Sequence, residues 1–398
     1  MSAVRRTPAT APLPPDEVRH ALLPLGDARM LPTEAYVEAD VFAWEQEHVF
    51  GGGWVAAAHA SAVREPGAQR AITVAGRGVL LVRDSGGALR GFSNACRHRG
   101  HELLGSGESS CRSAVRCPYH GWTYDLDGPL RRATGGEDLD PGEFALTPLP
   151  VEEHLGWVFV NAGAAAPPIA EAFAGLDPIL GPYDAGRLVP VAHHEYTVEA
   201  NWKVLHENYQ ECLHCPRIHP ELCRVSPPDS GDNIEPGPAW VGGWMDLAPS
   251  AETMSMSGRR IAEPLPGLDE RACRRVAYFA LLPNLLVSAH PDYVLTHRLE
   301  PLGPGRTRVE CEWMVAPDAA TASGFDPADA VELWDITNRQ DWAACESVQR
   351  GLSSSMQAPG PLMPSEDAVA HVVAWFARGY LGDGGASKED VSAGEGAR

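Results

Sequence analysis

The sequence predicts an α+β protein of two domains, an all-β domain in the first half and a mixed helix-and-strand domain in the second. Three observations carry this. A chain of 398 residues with 44% hydrophobic content can fill two cores and is long for one. Between Trp54 and Asn161 apolar residues fall in short β-type runs separated by turn chemistry. Beyond a small-residue and proline junction at Ala164 to Pro168, longer helix-period segments alternate with strand-like ones.

Taken in order, residues 1–39 form an N-terminal arm. Up to about Pro32 it is rich in Ala, Pro and Arg without periodicity, and partial disorder is expected. Asp40 then precedes Val41, Phe42, Trp44 and Val49 at helical intervals, and Gly51-Gly52-Gly53 ends the pattern. Residues 40–165 make the first domain, with strands expected at Ala71-Ile72-Thr73-Val74, Val79-Leu80-Leu81-Val82, Ala114-Val115-Arg116 and Trp157-Val158-Phe159-Val160. Asp84-Ser85-Gly86-Gly87 and Asp127-Gly128 are hairpin candidates. Residues 166–381 make the second domain. Asn201 to His214 is helical by pattern, with Trp202, Leu205, Tyr209 and Leu213 near one stripe, until Pro216 and Pro220 intervene. Strands are expected over 275–282, 285–289, 293–299 and 306–315. Asp326 as N-cap and Pro327 at the first position announce a long helix ending at Gly351, and another runs from near Ser365 to before Gly382. Residues 382–398 are a disordered tail.

Composition excludes several classes of function. With 32 basic against 53 acidic residues, a net charge of -21, and no basic cluster longer than Arg97-His98-Arg99, nucleic acid is not a partner. No segment has the apolar length of a membrane span, and the Arg5-Arg6 pair has no apolar stretch behind it. Nine cysteines at irregular spacing fit a reducing cytoplasm and metal ligation better than a disulfide framework.

Chemistry concentrates in two places. The first is Cys96-Arg97-His98 followed by Cys117-Pro118-Tyr119-His120, each in a turn between strand-like runs. Two thiolates and two imidazoles can hold zinc or an iron–sulfur cluster. Histidine two residues after the first cysteine cannot extend a zinc-finger helix, and both pairs sit on β-turns. In a Rieske centre two cysteines hold one iron and two histidines the other, which matches this pairing.

Ser93-Asn94-Ala95-Cys96-Arg97-His98-Arg99-Gly100 and Cys117-Pro118-Tyr119-His120-Gly121-Trp122 resemble the ligand loops of Rieske non-haem iron oxygenases. Gly100 and Gly121 suit turns that let backbone amides approach cluster sulfurs, and Trp122 would shield the cluster from solvent. The resemblance implies a Rieske domain followed by a catalytic domain of helix-grip, START-like form on an antiparallel sheet.

The second constellation is Asn201-Trp202-Lys203, then Glu207 to His214, then His219-Pro220. Asn208, Glu211 and His214 succeed one another at i, i+3, which on a helix puts an amide, a carboxylate and an imidazole on one face. The Cys215-Pro216-Arg217-Ile218 break lets the chain turn and bring His219 to the same metal as His214. A two-histidine, one-carboxylate triad needs an acid, and Asp341 supplies it. Trp334, Asn338, Asp341, Cys345, Val348 and Leu352 form the core-facing stripe of the long helix, where an unpartnered acid would be costly. A buried salt bridge to an arginine is the competing account of Asp341. The same oxygenase family shows a helix ending in two histidines and a late acid in a Gln-Asp-Trp setting, here Gln340-Asp341-Trp342, so the resemblance spans about Trp54 to Trp375.

The resemblance implies a terminal oxygenase with a 2Fe-2S cluster on Cys96, His98, Cys117 and His120 and a mononuclear Fe(II) on His214, His219 and Asp341. Glu211 and Asn208 are the catalytic candidates. It further implies a head-to-tail homotrimer in which Glu211 bridges His214 to His120 of the next chain. Many ring-hydroxylating members carry aspartate at the bridge, and glutamate resembles the branch that oxidises carnitine and glycine betaine. Oxidative N-demethylation or C–N cleavage of an amine is therefore expected, with ring or alkyl hydroxylation as the alternative. The resemblance places Trp240, Trp244, Met245, Met254, Met256, Phe279 and Tyr293 in segments that line the pocket, where aromatic faces favour a quaternary ammonium group and an aromatic ring alike and core packing accounts for most of them. No G-x-G-x-x-G follows a strand, so electrons must come from a separate NAD(P)H-dependent flavin and iron–sulfur reductase, directly or through a ferredoxin. Cys212 and Cys215 are read as small hydrophobes pointing away from the histidine face, and Cys111, Cys223, Cys273, Cys311 and Cys345 likewise. A Rieske electron carrier with a ligand-binding second domain, and a zinc-stabilised binding module, are the readings from other classes.

Overall fold

A computed structural model describes residues 10–136, 138–163, 166–354 and 358–382. The expected tail beyond Gly382 and the Arg5-Arg6 pair lie outside the described residues. The first domain is built from three antiparallel sheets. The largest orders its strands Ser109–Cys111, Ala68–Val74, Arg77–Arg83, Leu89–Ser93 and Pro148–Leu149. Arg77–Arg83 reads as a continuous apolar run because both its faces are covered: Leu80 and Val82 enter a core around Cys96, Cys117 and Tyr124, while Val79 and Leu81 pack into the core shared with the second domain. A small sheet of Val115–Arg116, Thr123–Tyr124 and Leu130–Arg132 carries the second cysteine loop. The third sheet pairs Trp157–Val160 with both Val55–His59 and Val151–His154.

The second domain centres on a seven-stranded antiparallel sheet, ordered Val189–Val198, Arg306–Val315, Val294–Gly303, Leu285–Ala289, Arg275–Leu281, Trp240–Asp246 and Gly231–Asn233. Alternate residues serve two cores. Val276, Ala280, Leu286 and Leu295 face the helices Trp202–Tyr209, Ala328–Ser354 and Asp367–Leu381, whereas Ala277, Phe279, Leu281 and Val287 face Trp54, Trp157, Phe159 and the short helices Ile169–Ala172 and Asp177–Leu180. Among the described residues no helix is long and apolar enough to cross a membrane.

Several expected elements differ. The stretch read as an arm is folded from residue 10: Pro15–Arg19 and Glu34–Val37 are helical, and Leu13, Val18, Leu31 and Tyr36 are buried in the core shared with Asp367–Leu381. Its alanines and leucines gain partners only in the tertiary structure. The helix after Asp40 spans Ala39–Glu45 and continues through a wider-wound turn, Gln46–Phe50. The strand Val189–Val198 escapes the apolar-run criterion because it is a half-exposed edge carrying His193, His194 and Glu195, and Trp240–Asp246 escapes it because Gly242-Gly243 interrupt it. The long helix starts at Ala328, where Oδ1 of Asp326 accepts its N–H at 2.9 Å, and passes through Gly351 to Ser354. On it Val348 is exposed and Gln349 is buried in its place, because Gln349 Oε1 accepts the Asn201 N–H at 2.8 Å and its amide donates to the Tyr36 carbonyl at 3.2 Å.

Candidate metal centres and the active site

The two cysteine loops are built alike. In the first, Cys96 N–H donates to the His101 carbonyl at 2.8 Å and Gly100 N–H returns to the Cys96 carbonyl at 2.9 Å. In the second, Cys117 N–H donates to the Trp122 carbonyl at 2.8 Å and Gly121 N–H returns to the Cys117 carbonyl at 3.2 Å. Both turns close through a left-handed residue, Gly100 and Gly121 each at φ 73°, a conformation an L side chain resists. The thiols are buried, and the His98 and His120 rings meet with centroids 4.7 Å apart. Trp122, itself buried, stacks on His98 at 4.9 Å. A residue the sequence did not single out, Tyr124, brings its hydroxyl to 3.2 Å from Cys96 Sγ and accepts the Arg97 N–H at 3.0 Å. Two buried thiols and two imidazoles set at one tip by matched turns are the donor set a Rieske cluster requires.

The second constellation forms differently from the helical reading. The helix Trp202–Tyr209 stops five residues before His214. The Glu211 carboxylate takes over from the backbone ladder: Oε2 accepts the N–H groups of Leu213 and, at 3.4 Å, His214, while Oε1 meets His214 Nδ1 at 2.5 Å. Leu213, expected in the apolar stripe, is consequently exposed. Two short helices, Cys215–Ile218 and Pro220–Val225, flank His219 and present it inward.

His214, His219 and Asp341 each offer a ligand atom within 4.8 Å of the other two. His219 Nε2 lies 2.9 Å and His214 Nε2 3.3 Å from Asp341 Oδ1. Each outer ring nitrogen has an acceptor, Glu211 for His214 and, at 2.7 Å, Gln340 Oε1 for His219. An Nδ1 that donates outward leaves Nε2 with its lone pair, so in the neutral rings two lone pairs and a carboxylate converge on one point. Only a cation satisfies that arrangement. Burial works to lower the His214 pKa, but the bonds to Asp341 and Glu211 outweigh it and raise it to about 9. Burial likewise works to raise Asp341, and the two histidines hold it below the usual carboxylate range. Among the described residues no lysine or arginine pairs with Asp341, so the salt-bridge account lacks its partner. The donor set fits a two-histidine, one-carboxylate iron. Asn208 Nδ2 stands 3.5 Å from His214 Nε2, at the edge of the same site.

Gln340 was visible only as a neighbour of Asp341, since its role depends on His219 arriving from another helix. The expected pocket residues divide. Met254 and Tyr293 lie in the core on the helix side of the sheet and Met256 packs against it, whereas Trp240 and Phe279 belong to the opposite core. Trp244, opposite Ala277 in the register, shares that far face. Strand alternation, unassigned for Trp240–Asp246 from sequence, is the reason. The reading of Cys212 and Cys215 as unpaired is corrected too: they are joined by a disulfide, their Cα atoms 5.0 Å apart, because the helix has ended and the turn folds one toward the other.

Comparison with known proteins agrees with this geometry. Residues 53–140 match the Rieske [2Fe-2S] domain, and residues 185–382 match the catalytic domain of the ring hydroxylating alpha subunit. The chain is 31% identical over 381 residues to the glycine betaine monooxygenase oxygenase subunit of Chromohalobacter salexigens, covering 87% of this chain and 84% of that one. It is 27% identical over 380 residues to the chloroplastic choline monooxygenase of Spinacia oleracea, covering 89% and 79%. The crystal structure of the quaternary ammonium Rieske monooxygenase CntA in complex with its substrate L-carnitine superposes with a TM-score of 0.75 at 25% identity, over 92% of this chain and 99% of that one. With both domains matched in order and both donor sets assembled, the chain belongs to the Rieske non-haem iron oxygenases as a catalytic alpha subunit, whose cofactors are a 2Fe-2S cluster and a mononuclear iron.

Proposed function

We propose that this terminal oxygenase removes a methyl group from, or cleaves a C–N bond of, a small trimethylammonium compound. Cys96, His98, Cys117 and His120 hold the cluster, and His214, His219 and Asp341 hold the iron. The observation that carries the substrate class is a closed circuit of four rings on the helix side of the sheet. Tyr209 to Tyr278, Tyr278 to Trp334, Trp334 to His297 and His297 to Tyr209 are 6.0, 6.4, 6.4 and 6.2 Å between centroids, each pair steeply inclined. A cation is attracted to an aromatic face within ~6 Å of its centroid, so rings at this spacing can share one small cation. Burial lowers the His297 pKa to about 4 despite its bond to Asn338, so that ring adds no opposing charge at neutral pH. The Tyr278 hydroxyl and His297 Nδ1 are buried without a hydrogen-bond partner, which suits a ligand with polar atoms. Trp334, Asn338 and Asp341 share one face of the long helix, so the circuit adjoins the metal site.

When bound, the iron supplies dioxygen activation, and the cluster supplies electrons one at a time. The protein's own part is positional. Glu211 and Gln340 fix the two imidazoles in the tautomer that faces the metal, the ring circuit seats the cation, and the buried setting excludes water. For demethylation the balance is R–N(CH3)3+ with O2, two electrons and two protons giving R–N(CH3)2, formaldehyde, water and one proton. A C–H bond becomes C–OH, and the resulting carbinolamine collapses as its C–N bond breaks. As the oxygenase component of a multicomponent system the chain works with a separate reductase. We take that reductase to be NAD(P)H-dependent, with flavin and iron–sulfur centres, and the active assembly to be a homotrimer with Glu211 reaching His120 of the next chain.

The test is reductase-driven turnover with glycine betaine, carnitine, choline and a panel of aromatic acids. Formaldehyde with a demethylated amine, or trimethylamine, from the first group is expected, together with a raised KM for Trp334→Leu at little changed cluster absorbance. Ring hydroxylation of the aromatic acids alone would overturn it.

A further inference from the structure

His290 lies in the interior with nothing to bond. It follows the strand Leu285–Ala289, is 0% exposed, stacks on Tyr293 with ring centroids 3.9 Å apart and meets Trp334 edge-on at 5.5 Å. Both of its ring nitrogens are buried without a hydrogen-bond partner, as is the hydroxyl of Tyr278, which also packs against Trp334. Their polar neighbours are satisfied. The Tyr293 hydroxyl accepts from Trp334 Nε1 at 2.7 Å and donates to the Met254 carbonyl at 2.6 Å, and Ser288 Oγ meets the Tyr209 hydroxyl at 2.9 Å. Buried polar atoms are ordinarily paired, so unpaired ones gathered around one indole of the ring circuit mark a place for polar atoms of a ligand. The place also has a direction. Trp334 precedes Asp341 by seven residues on the long helix, ~10 Å along its axis. His290 touches the circuit at that end, so a cation among the rings has the iron on one side and His290 on the other.

The charge of the site is as telling as its bonds. The carbonyls of Tyr293 and Ser288 lie near the His290 ring without meeting it in hydrogen-bond geometry, and burial outweighs their pull and holds the imidazole neutral. Among the described residues Lys203 is the one buried lysine or arginine, and its ammonium meets Glu45 at 2.6 Å. The arginines that reach the segment around Met254 donate to its backbone, Arg224 to the Met256 carbonyl and Arg274 to those of Ala251 and Ala248. A carboxylate buried beside His290 would therefore lack a counter-charge, which is costly. A hydroxyl would not, because a neutral imidazole both donates and accepts. We infer that His290 and the Tyr278 hydroxyl bind the polar end of the substrate and select a quaternary ammonium alcohol over a quaternary ammonium carboxylate, an inference that deepens the trimethylammonium reading of the ring circuit and rests on it.

The experiment is titration calorimetry on the iron-loaded enzyme with three probes: choline, glycine betaine, and tetramethylammonium, which has no polar end. Choline is expected to bind roughly 10-fold more tightly than either of the others. His290→Leu should weaken choline by roughly 10-fold, the loss of a buried hydrogen bond, and leave tetramethylammonium within about 2-fold. Tyr278→Phe keeps the ring and removes only the hydroxyl, and should show the same selectivity to a smaller degree. Cluster absorbance and retained tetramethylammonium binding report that each variant is folded. Glycine betaine binding as tightly as choline, or equal losses for choline and tetramethylammonium in both variants, would overturn the inference while leaving the ring circuit as a cation site. If none of the three probes binds, the trimethylammonium reading falls and takes this one with it.

Discussion

Asp341 shows how far one residue's chemistry can be read from its neighbours in sequence. An acid within a helical apolar stripe called for compensation, and two histidines upstream named it, so the three residues the structure gathers within 4.8 Å were all legible. The four residues of the cluster loops were legible for a more local reason. Each loop is closed by its own backbone hydrogen bonds and one left-handed glycine, so spacing alone nearly fixes the geometry. Tyr124 and Gln340 were not legible, because their bonds to Cys96 and His219 come from tertiary placement and neither residue type is diagnostic. The two donor sets share no residue, so they should fail independently. Asp341→Ala is expected to lose the mononuclear iron and all turnover while keeping the Rieske EPR signal, and His120→Ala is expected to lose the Rieske signal and turnover while keeping the mononuclear iron. Iron per chain and EPR on both variants check this, and retained iron with normal turnover in Asp341→Ala would return that residue to a structural role.

At the scale of elements, the sequence was most reliable where burial was two-sided and least where a side chain displaced the backbone. Val79 to Val82 were found because cores lie on both faces, while the Trp202–Tyr209 helix was drawn too long because a carboxylate caps the following amides. That helix also explains the Asn201-Trp202-Lys203 motif. Asn201 caps it by accepting the Lys203 N–H at 3.0 Å, and the Lys203 ammonium meets Glu45 at 2.6 Å in the interior. Trp202 Nε1 donates to the other Glu45 oxygen at 2.9 Å, and the Tyr380 hydroxyl joins the same carboxylate. Glu45, on the helix that follows the N-terminal arm, is thereby tied to the helices Trp202–Tyr209 and Asp367–Leu381. In this network the Tyr36 hydroxyl donates to Glu207 at 2.7 Å, and burial, opposed by that bond and by Lys203, raises the Glu207 pKa to about 8. A raised acid keeps its proton in the folded chain after the unfolded chain has lost it, so its contribution to stability falls as pH rises from about 4.5 to about 8. The buried histidines His206 and His297, lowered to about 4, act in the opposite sense only below about 6.5. Between pH ~6.5 and ~8 Glu207 and His214, whose pKa is raised to about 9, act in the same sense, and Glu207 alone should lower stability by up to ~1.4 kcal/mol per pH unit. Denaturant midpoints across that range should show the slope, and Glu207→Gln should flatten it. An unchanged slope in the variant would place the titration elsewhere.

At the scale of the whole molecule the proposal has an electron pass from the cluster of one chain to the iron of the next. The proposed trimer makes Glu211 the relay, and its local geometry says why glutamate suits the task. Its carboxylate has about four acceptor positions. In this chain three donors engage it, the His214 ring and the N–H groups of Leu213 and His214, and its side chain still keeps 16% of its surface exposed. It can therefore hold its own histidine and accept from an imidazole arriving across an interface. An amide cannot do both. Glu211→Gln would keep one acceptor oxygen for His214 but turn an NH2 group toward the Leu213 N–H or toward the incoming ring, setting donor against donor. The variant is expected to retain both iron centres, the Rieske signal and the trimer mass, and to pass its electron at a rate lower by roughly 10- to 100-fold, the usual cost of losing a partner behind a metal-bound histidine. Rapid mixing of the reduced protein with oxygen and substrate, following cluster absorbance, gives that rate directly. If cluster oxidation in Glu211→Gln matches the parent enzyme, Glu211 only shapes its loop, and the relay must pass through another of the groups that contact His214 or His219.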